Sequence, residues 1–129
     1  MKYKTLNKTI EGEPKANYSI WLMEYGHIPT APVSVVLAGQ HNQDVRLMPF
    51  SYLVLKGEGH VAMVDVGLDP GQDDFAEHLF REDNVQDWQP PEIVLAKIGV
   101  KPGAVDTVLL SHAHYDHVTF SVAYTARVS

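Results

Sequence analysis

The feature that most constrains this chain is the run HAHYDH at residues 112–117, which gathers three of its 7 histidines and one aspartate. Imidazole nitrogen and carboxylate oxygen are ligands that Zn²⁺, Mn²⁺ and Fe²⁺ accept. On an extended loop, His112 and His114 project their rings to one side, and Asp116 and His117 then point to a neighbouring position. Residues 105–110, just before the run, are predicted to form a buried strand. We therefore expect the four ligands on a loop that leaves a rigid sheet.

Composition restricts the partners of the chain. Its 129 residues have room for one domain. The formal net charge of −6, without a block of Lys or Arg, excludes a basic surface for nucleic acid or an anionic membrane. Because cysteine is absent, a metal must be held by histidine and carboxylate, and the composition is compatible with a reducing cytoplasm. We see neither a signal peptide nor a membrane-spanning segment, and expect a cytoplasmic protein.

The chain divides into a polar lead-in at residues 1–16 and a domain at 17–129. Residues 17–25 are predicted to form a strand, 26–32 to break it, and 33–38 to form a second strand. Residues 51–56 and 61–66 are β-rich runs joined by four residues with two glycines, which predicts a hairpin. Helices are predicted at residues 72–82, where acids occupy the first turn, and from Pro91 to the stop at Gly99.

The ligand run predicts hydrolytic chemistry. Two divalent ions about 3.5–4 Å apart can share a hydroxide and clamp the oxygens of an ester, amide or phosphate during attack. The residues leave open a closed structural metal site, or a histidine-rich turn bonded only to backbone. Closed zinc sites usually use cysteine, and Asp116 has no role in them, which favours the hydrolytic interpretation.

Ser111 to His117 matches the HxHxDH signature, so the chain resembles the metallo-β-lactamase superfamily. Residues 63–67, MVDVG, are similar to the earlier Asp-x-Gly strand end of that superfamily. Residues 95–112 resemble in particular the lactonase-like, quorum-quenching members that open N-acyl homoserine lactones. The resemblance implies an α/β (α+β) fold, the αββα sandwich. This chain would form its N-terminal half, with one mostly antiparallel sheet and flanking helices.

The resemblance also implies the roles of the ligands. His112 and His114 would bind a first metal, and Asp116 and His117 a second, with two Zn²⁺ per complete site and Mn²⁺ or Fe²⁺ as alternatives. A metal-bound hydroxide would attack a small-molecule lactone or related ester, and Asp116 would pass a proton to the leaving alkoxide. Asp65 would either orient the ligand loop or cap its strand end. Glyoxalase-type thioesterases and β-lactamases share the motif and remain alternatives.

The chain departs from the resemblance after His117. The superfamily completes its site with two histidines and a bridging aspartate far downstream, whereas residues 118–129 contain no His, Asp, Glu or Cys. Val118, Thr119 and Phe120 also replace a small, glycine-containing sequence. We expect a partial domain, cut short or read out of frame after the motif. The missing half would leave an apolar sheet face exposed, which predicts self-association; the alternative function is a non-catalytic fragment that folds only by association.

Histidines and tryptophans outside any motif say little about function. Four histidines stand outside the motif and are expected to be solvated at the surface: His27, His41, His60 and His78. Trp21 and Trp88 are expected to pack in or beside the core.

Overall fold

The computed structural model describes residues 16–39, 41 and 44–120. Most of the predicted lead-in and the end of the predicted domain lie outside these residues. The elements in chain order are β1 (Tyr18–Pro32), α1 (Val33–Val36), β2 (Val45–Gly57), β3 (His60–Val64), α2 (Asp74–Glu82), α3 (Pro91–Ala96), a 3₁₀ turn (Pro102–Ala104), β4 (Thr107–Leu109) and α4 (Tyr115–Val118). No helix among the described residues is long and apolar enough to cross a membrane.

The strands form one sheet in the order β1-β2-β3-β4. The first two pairs are antiparallel, and β3 and β4 are parallel. A parallel neighbour requires a crossover connection, and α2 and α3 lie within it. Because β3 and β4 run in the same direction, the segments that follow them leave the sheet at the same edge. The mixed sheet with flanking helices confirms the predicted fold class.

One face of the sheet carries the core. The strand register aligns one side chain from each strand in a row across this face: Trp21, Val54, Met63 and Val108. Val54 and Met63 are fully buried, as are Val94 and Leu95 of α3 in the same cluster. Trp88 also packs against this cluster, which confirms the packing role predicted for both tryptophans.

The opposite face, called the outer face below, is apolar as well. One row across the four strands consists of Leu22, Leu53, Val64 and Leu109, and the next of Ile20, Leu55, Ala62 and Thr107. Leu22 is 71% exposed and Leu109 is 55% exposed. Strands that are apolar on both faces are typical of sheets covered on both sides. The expected exposed apolar face is thus present among the described residues.

The β2–β3 hairpin confirms the prediction from its turn chemistry. Gly57 pairs with His60, so the loop consists of Glu58 and Gly59, with φ angles of 51° and 81°. Two successive positive φ angles are those of a type I′ turn, whose twist matches that of the strands. His60 is exposed as predicted, and its Nδ1 lies 3.1 Å from Oδ2 of Asp106, which ties the hairpin to the start of β4.

Both predicted helices are present, α2 beginning at a capping aspartate and α3 at a proline. Oδ1 of Asp73 accepts a hydrogen bond from the backbone N–H of Ala76 at 2.8 Å, as an N-cap does. Pro91 stands at the first position of α3, where its missing N–H costs nothing. Gly99, with φ 66°, follows the end of α3.

Two predictions for residues 26–38 were wrong. Residues 26–32 continue β1, and Val33–Val36 is a helical turn instead of a strand. The register shifts between Glu24 and Gly26 and again between Ile28 and Ala31. These bulges in an edge strand let β1 continue through Gly26 and Pro29. The β-branched residues at 33–36 have no neighbouring strand to pair with, and β propensity depends on such a partner.

His27 also corrects the sequence analysis, since it is not a solvated surface histidine. Its side chain is only 16% exposed and lies 3.6 Å from Glu24 and 3.8 Å from Asp87. Its backbone exchanges hydrogen bonds with Gln86 at 3.0 and 2.8 Å. The extended β1 therefore meets the segment between α2 and α3, which a single isolated histidine cannot reveal. His41 and His78 are exposed as predicted.

We expect the purified chain to self-associate, with two copies packed outer face to outer face. The two rows carry no charged side chain, so the face is complementary to itself, as a two-fold interface requires. Leu22→Lys places a charge in one row and is expected to weaken association by about tenfold or more, measured by concentration-dependent light scattering. Ile93→Lys, a matched change at a 53% exposed residue of α3, is the control. A monomeric parent chain at high concentration would contradict this expectation.

Candidate metal centre

The loop that carries HAHYDH is attached to the residues that follow β3. The backbone N–H of Asp65 donates to the carbonyl of Leu109 at 2.8 Å, and that of Val66 donates to the carbonyl of His117 at 2.9 Å. Gly67 forms a parallel bridge with Val118. Three successive residues after β3 therefore hold the loop at both its beginning and its end.

Asp65 binds the same two ends with its carboxylate. Oδ1 accepts from the backbone N–H of Ser111, and Oδ2 accepts from the Ser111 hydroxyl and from Nδ1 of His117, all at 2.8 Å. Asp65 is 7% exposed and has a φ of 64°, a conformation uncommon outside glycine. Strained backbone of this kind persists where its surroundings fix it. The geometry agrees with the first predicted role of Asp65, which is to orient the ligand loop.

Opposing effects determine the pKa of Asp65. Burial raises the pKa, whereas the hydrogen bonds from Ser111 and the His117 ring lower it, and the net pKa lies below the ordinary value of 3.8. The carboxylate is therefore ionised at neutral pH. It accepts hydrogen bonds from all three donors.

The Asp65 bonds also determine which ring nitrogens of His112 and His117 carry a proton. Since the Ser111 hydroxyl donates its hydrogen bond to Asp65, its oxygen is left to accept one from Nδ1 of His112 at 2.9 Å. Nδ1 of His117 donates to Asp65 directly. A neutral ring with this hydrogen bond at Nδ1 has its free lone pair on Nε2, which is the arrangement found in metal-binding histidines. The His112 ring centroid lies 4.5 Å from that of His114 and 4.2 Å from that of His117.

Asp116 and His117 fit one metal ion by the separation of their donor atoms. Oδ2 of Asp116 lies 3.2 Å from Nε2 of His117. Two ligand atoms bound to one tetrahedral Zn²⁺ at about 2.0–2.1 Å are about 3.3 Å apart. When the His117 ring is neutral, both Oδ2 of Asp116 and Nε2 of His117 present lone pairs to each other. A cation between the two atoms would bind both lone pairs and remove their repulsion.

The potential metal ligands occur in pairs, which is fewer than a protein site for one metal ion usually supplies. Within residues 16–39, 41 and 44–120, no group of three or more His, Cys, Asp or Glu side chains is arranged to hold a metal ion. His112 and His114 lie on the loop after β4, and Asp116 and His117 lie in the short helix α4 that follows. No further donor from the described residues joins them. Their chemistry fits a divalent metal, and their number fits half of a two-metal centre.

Tyr25 and Thr119 support the loop, and the sequence analysis missed both roles. The Tyr25 hydroxyl donates to the carbonyl of Asp116 at 2.6 Å. Burial, followed by the charge of Asp116, raises the pKa of this phenol well above its ordinary value of 10.0, so it remains a donor. The Thr119 hydroxyl accepts from the Asp69 N–H at 2.9 Å and lies 3.1 Å from the carbonyl of Gly67. No local sequence pattern links residues this far apart along the chain.

A cavity of about 380 Å³ adjoins the loop. His114, Tyr115 and Asp116 form one wall, and Asp83 is the other acid of the lining. The remaining lining residues are apolar: Val35, Val36, Met48, Phe50, Leu68, Leu79 and Val85. A volume of this size lies within the range of small-molecule sites, about 300–1,000 Å³. Asp116 therefore lies between the histidine rings and an apolar cavity.

The chain belongs to the metallo-beta-lactamase superfamily, whose family model matches residues 45–122. The match extends from β2 through the hairpin and the crossover helices to the motif and α4. No curated protein sequence matches the chain.

Solved structures share this fold at low sequence identity. A probable metal-dependent hydrolase from Staphylococcus aureus is 18% identical, with a TM-score of 0.59 over 79% of this chain and 40% of that one. An N-acyl homoserine lactone hydrolase with bound N-hexanoyl-L-homoserine is 20% identical, with a TM-score of 0.60 over 82% and 45%. The dizinc quorum-quenching lactonase AidC is 17% identical, with a TM-score of 0.56 over 81% and 37%. This chain spans less than half the length of these three structures.

Asp65→Asn is expected to lower the free energy of unfolding by about 1–3 kcal/mol, because a neutral amide replaces a buried anion that accepts three hydrogen bonds. Asparagine tolerates positive φ, so the substitution tests the carboxylate and not the backbone. Asp87→Asn is the matched control, since Asp87 also has positive φ, 51°, but its side chain is 84% exposed. Chemical denaturation measures both changes. Equal losses of stability in the two variants would contradict the role assigned to Asp65.

Proposed function

We propose that this chain supplies the HxHxDH part of a metal-dependent hydrolase site that opens lactones or related esters. The observation that carries the proposal is the Asp65 network, because Asp65 binds Nδ1 of His117 and so turns Nε2 of that ring toward the Asp116 carboxylate, 3.2 Å away. Superfamily membership supports hydrolysis. The lactone substrate is supported by two structural neighbours, an N-acyl homoserine lactone hydrolase and a quorum-quenching lactonase, each with a bound product.

The four predicted ligands form two pairs. We assign His112 and His114 to one divalent ion and Asp116 and His117 to a second, with zinc preferred and Mn²⁺ or Fe²⁺ compatible with the same donors. When bound, two such ions supply a hydroxide nucleophile near neutral pH and polarise the carbonyl of the bond to be cleaved. Asp65 contributes by holding the His117 ring in the orientation that presents Nε2.

Asp116 is the proposed catalytic acid, because its carboxylate lies beside His117 and also lines the cavity. Ring opening would join the hydroxide that such ions supply to the acyl carbon and break the ring C–O bond, whose electron pair would leave on the alkoxide oxygen. Asp116 takes up the proton that the nucleophile brought and delivers it to that oxygen. The products are a carboxylate and an alcohol on one opened chain.

The cavity favours a small, uncharged substrate with an apolar portion. Its lining is mostly apolar, and its two acidic residues, Asp83 and Asp116, repel anions. This environment supports a neutral lactone over a phosphate ester. Thioesters and β-lactams remain alternative substrates, because the same metal chemistry cleaves them.

A second candidate is a non-catalytic chain that works only in association with another. The small number of metal ligands favours this candidate, since no group of three or more potential ligands occurs within the described residues. Two ligands per ion would bind metal weakly and would leave the hydroxide poorly positioned.

The proposal is tested by Zn²⁺ titration calorimetry of the purified chain, followed by chromatographic assay of N-hexanoyl homoserine lactone hydrolysis. His112→Ala is expected to lower zinc affinity by more than about tenfold, because it removes one of two ligands of the first ion. His78→Ala changes an exposed histidine of α2 and is expected to leave the affinity unchanged.

Zinc binding with ring opening would support the hydrolase, and zinc binding without turnover would support the non-catalytic candidate. Equal zinc affinity in the parent chain and His112→Ala would contradict the ligand assignment that both candidates share.

A further inference from the structure

Tyr25 connects β1 to the ligand loop from inside the core. It lies where the register of β1 shifts between Glu24 and Gly26, so it is the extra residue of a bulge. A bulge re-aims a side chain that a regular strand would direct elsewhere. Tyr25 is 3% exposed, and its hydroxyl donates to the carbonyl oxygen of Asp116 at 2.6 Å.

The Tyr25 ring is fixed on several sides. It stacks on Phe50 with ring centroids 5.9 Å apart and on Tyr52 with centroids 5.4 Å apart. Its own carbonyl accepts from the backbone N–H of Gln89 at 2.8 Å. A ring held by stacking and backbone contacts delivers its hydroxyl to one place. That place is the peptide bond between Asp116 and His117.

Gly67, the glycine of the MVDVG segment, makes room for this ring. A Cβ atom at Gly67 would lie 3.3 Å from Cε1 of Tyr25, and the φ of Gly67 is 89°. Both the space and the backbone conformation favour glycine here. The Asp-x-Gly segment therefore supports the ligand loop in two ways. Asp65 binds the loop directly, and Gly67 leaves space for the Tyr25 ring that reaches it.

We propose that Tyr25 is a positioning residue for the metal ligands Asp116 and His117. The carbonyl that it binds belongs to the planar peptide unit joining the two ligands, so fixing that carbonyl fixes the ψ of Asp116 and the φ of His117 together. Asp65 holds the His117 ring at its other end. Together, the two contacts keep Oδ2 of Asp116 and Nε2 of His117 at the separation that suits one ion. This inference rests on the proposed function for the identity of the ligands.

The test compares Tyr25→Phe with Trp88→Phe. The first substitution removes only the hydroxyl that reaches Asp116. The second removes the indole N–H that binds the carbonyl of Leu68 at 2.9 Å, and it also reduces the ring that stacks on Phe120, two residues after α4. Because it also removes ring volume, Trp88→Phe is the more severe change for the core as a whole.

Two measurements are made on both full-length variants. In metal-free protein, amide hydrogen exchange across α4 is expected to accelerate several-fold in Tyr25→Phe and to change less in Trp88→Phe. In zinc titrations, Tyr25→Phe is expected to lower affinity by about tenfold, as the loss of partners that orient ligands does, while Trp88→Phe leaves it near that of the parent.

Exchange across α4 in Tyr25→Phe equal to that in the parent chain would overturn the inference, whether or not the chain binds zinc. Zinc affinity of Tyr25→Phe equal to that of a zinc-binding parent would also overturn it. A parent chain that fails to bind zinc, with α4 loosened only in Tyr25→Phe, would overturn the proposed function. The positioning of the loop by Tyr25 would then stand.

Discussion

The site depends on one buried anion. Asp65 accepts three hydrogen bonds from the two ends of the ligand loop, and each donor would lose a partner if the carboxylate were absent. A buried carboxylate without donors is costly, and buried donors without an acceptor are costly as well, so each side of the network requires the other. The proton positions on His112 and His117 follow from this arrangement. The chemistry of the loop is thus determined by a residue that does not itself face the cavity.

The sheet explains why this anion can reach both ends of the loop. Parallel pairing of β3 and β4 puts the residues after each strand at one edge, although Asp65 and Ser111 are separated by 46 positions. Both faces of the sheet are apolar, which belongs to architectures with layers on each side. The chain spans 40% and 45% of two solved neighbours. The uncovered outer face and the paired ligands of the described residues are the two observations on which our proposal of association rests.

Sequence reasoning succeeded where the cause was local. The hairpin followed from its glycine-rich turn and α3 from Pro91 and Gly99, whereas the ligand roles inferred from donor types at short spacing stay a prediction. The prediction for residues 26–38 failed because β1 is an edge strand with bulges, which let it continue through Gly26 and Pro29. These features depend on pairing partners rather than on the segment itself.

Long-range contacts were also beyond prediction. Tyr25 and Asp116 are 91 positions apart, and their hydrogen bond exists only because a bulge directs one phenol into the core. Asp65 was predicted to matter because residues 63–67 resemble the Asp-x-Gly strand end of the superfamily. The resemblance left two roles open for it, to orient the ligand loop or to cap the strand end. The geometry of its three bonds distinguishes the two.

The brevity of β4 has a consequence for the order in which the molecule assembles. The strand is three residues long, Thr107–Leu109, and it pairs with β3 only after the entire crossover has folded back onto the sheet. Closing so long a loop costs conformational entropy, so we expect the histidine cluster to form late in folding. A fluctuation that undocks this strand would also displace the segment that carries the four predicted ligands. Metal bound at the loop would act as a latch on the last strand of the sheet.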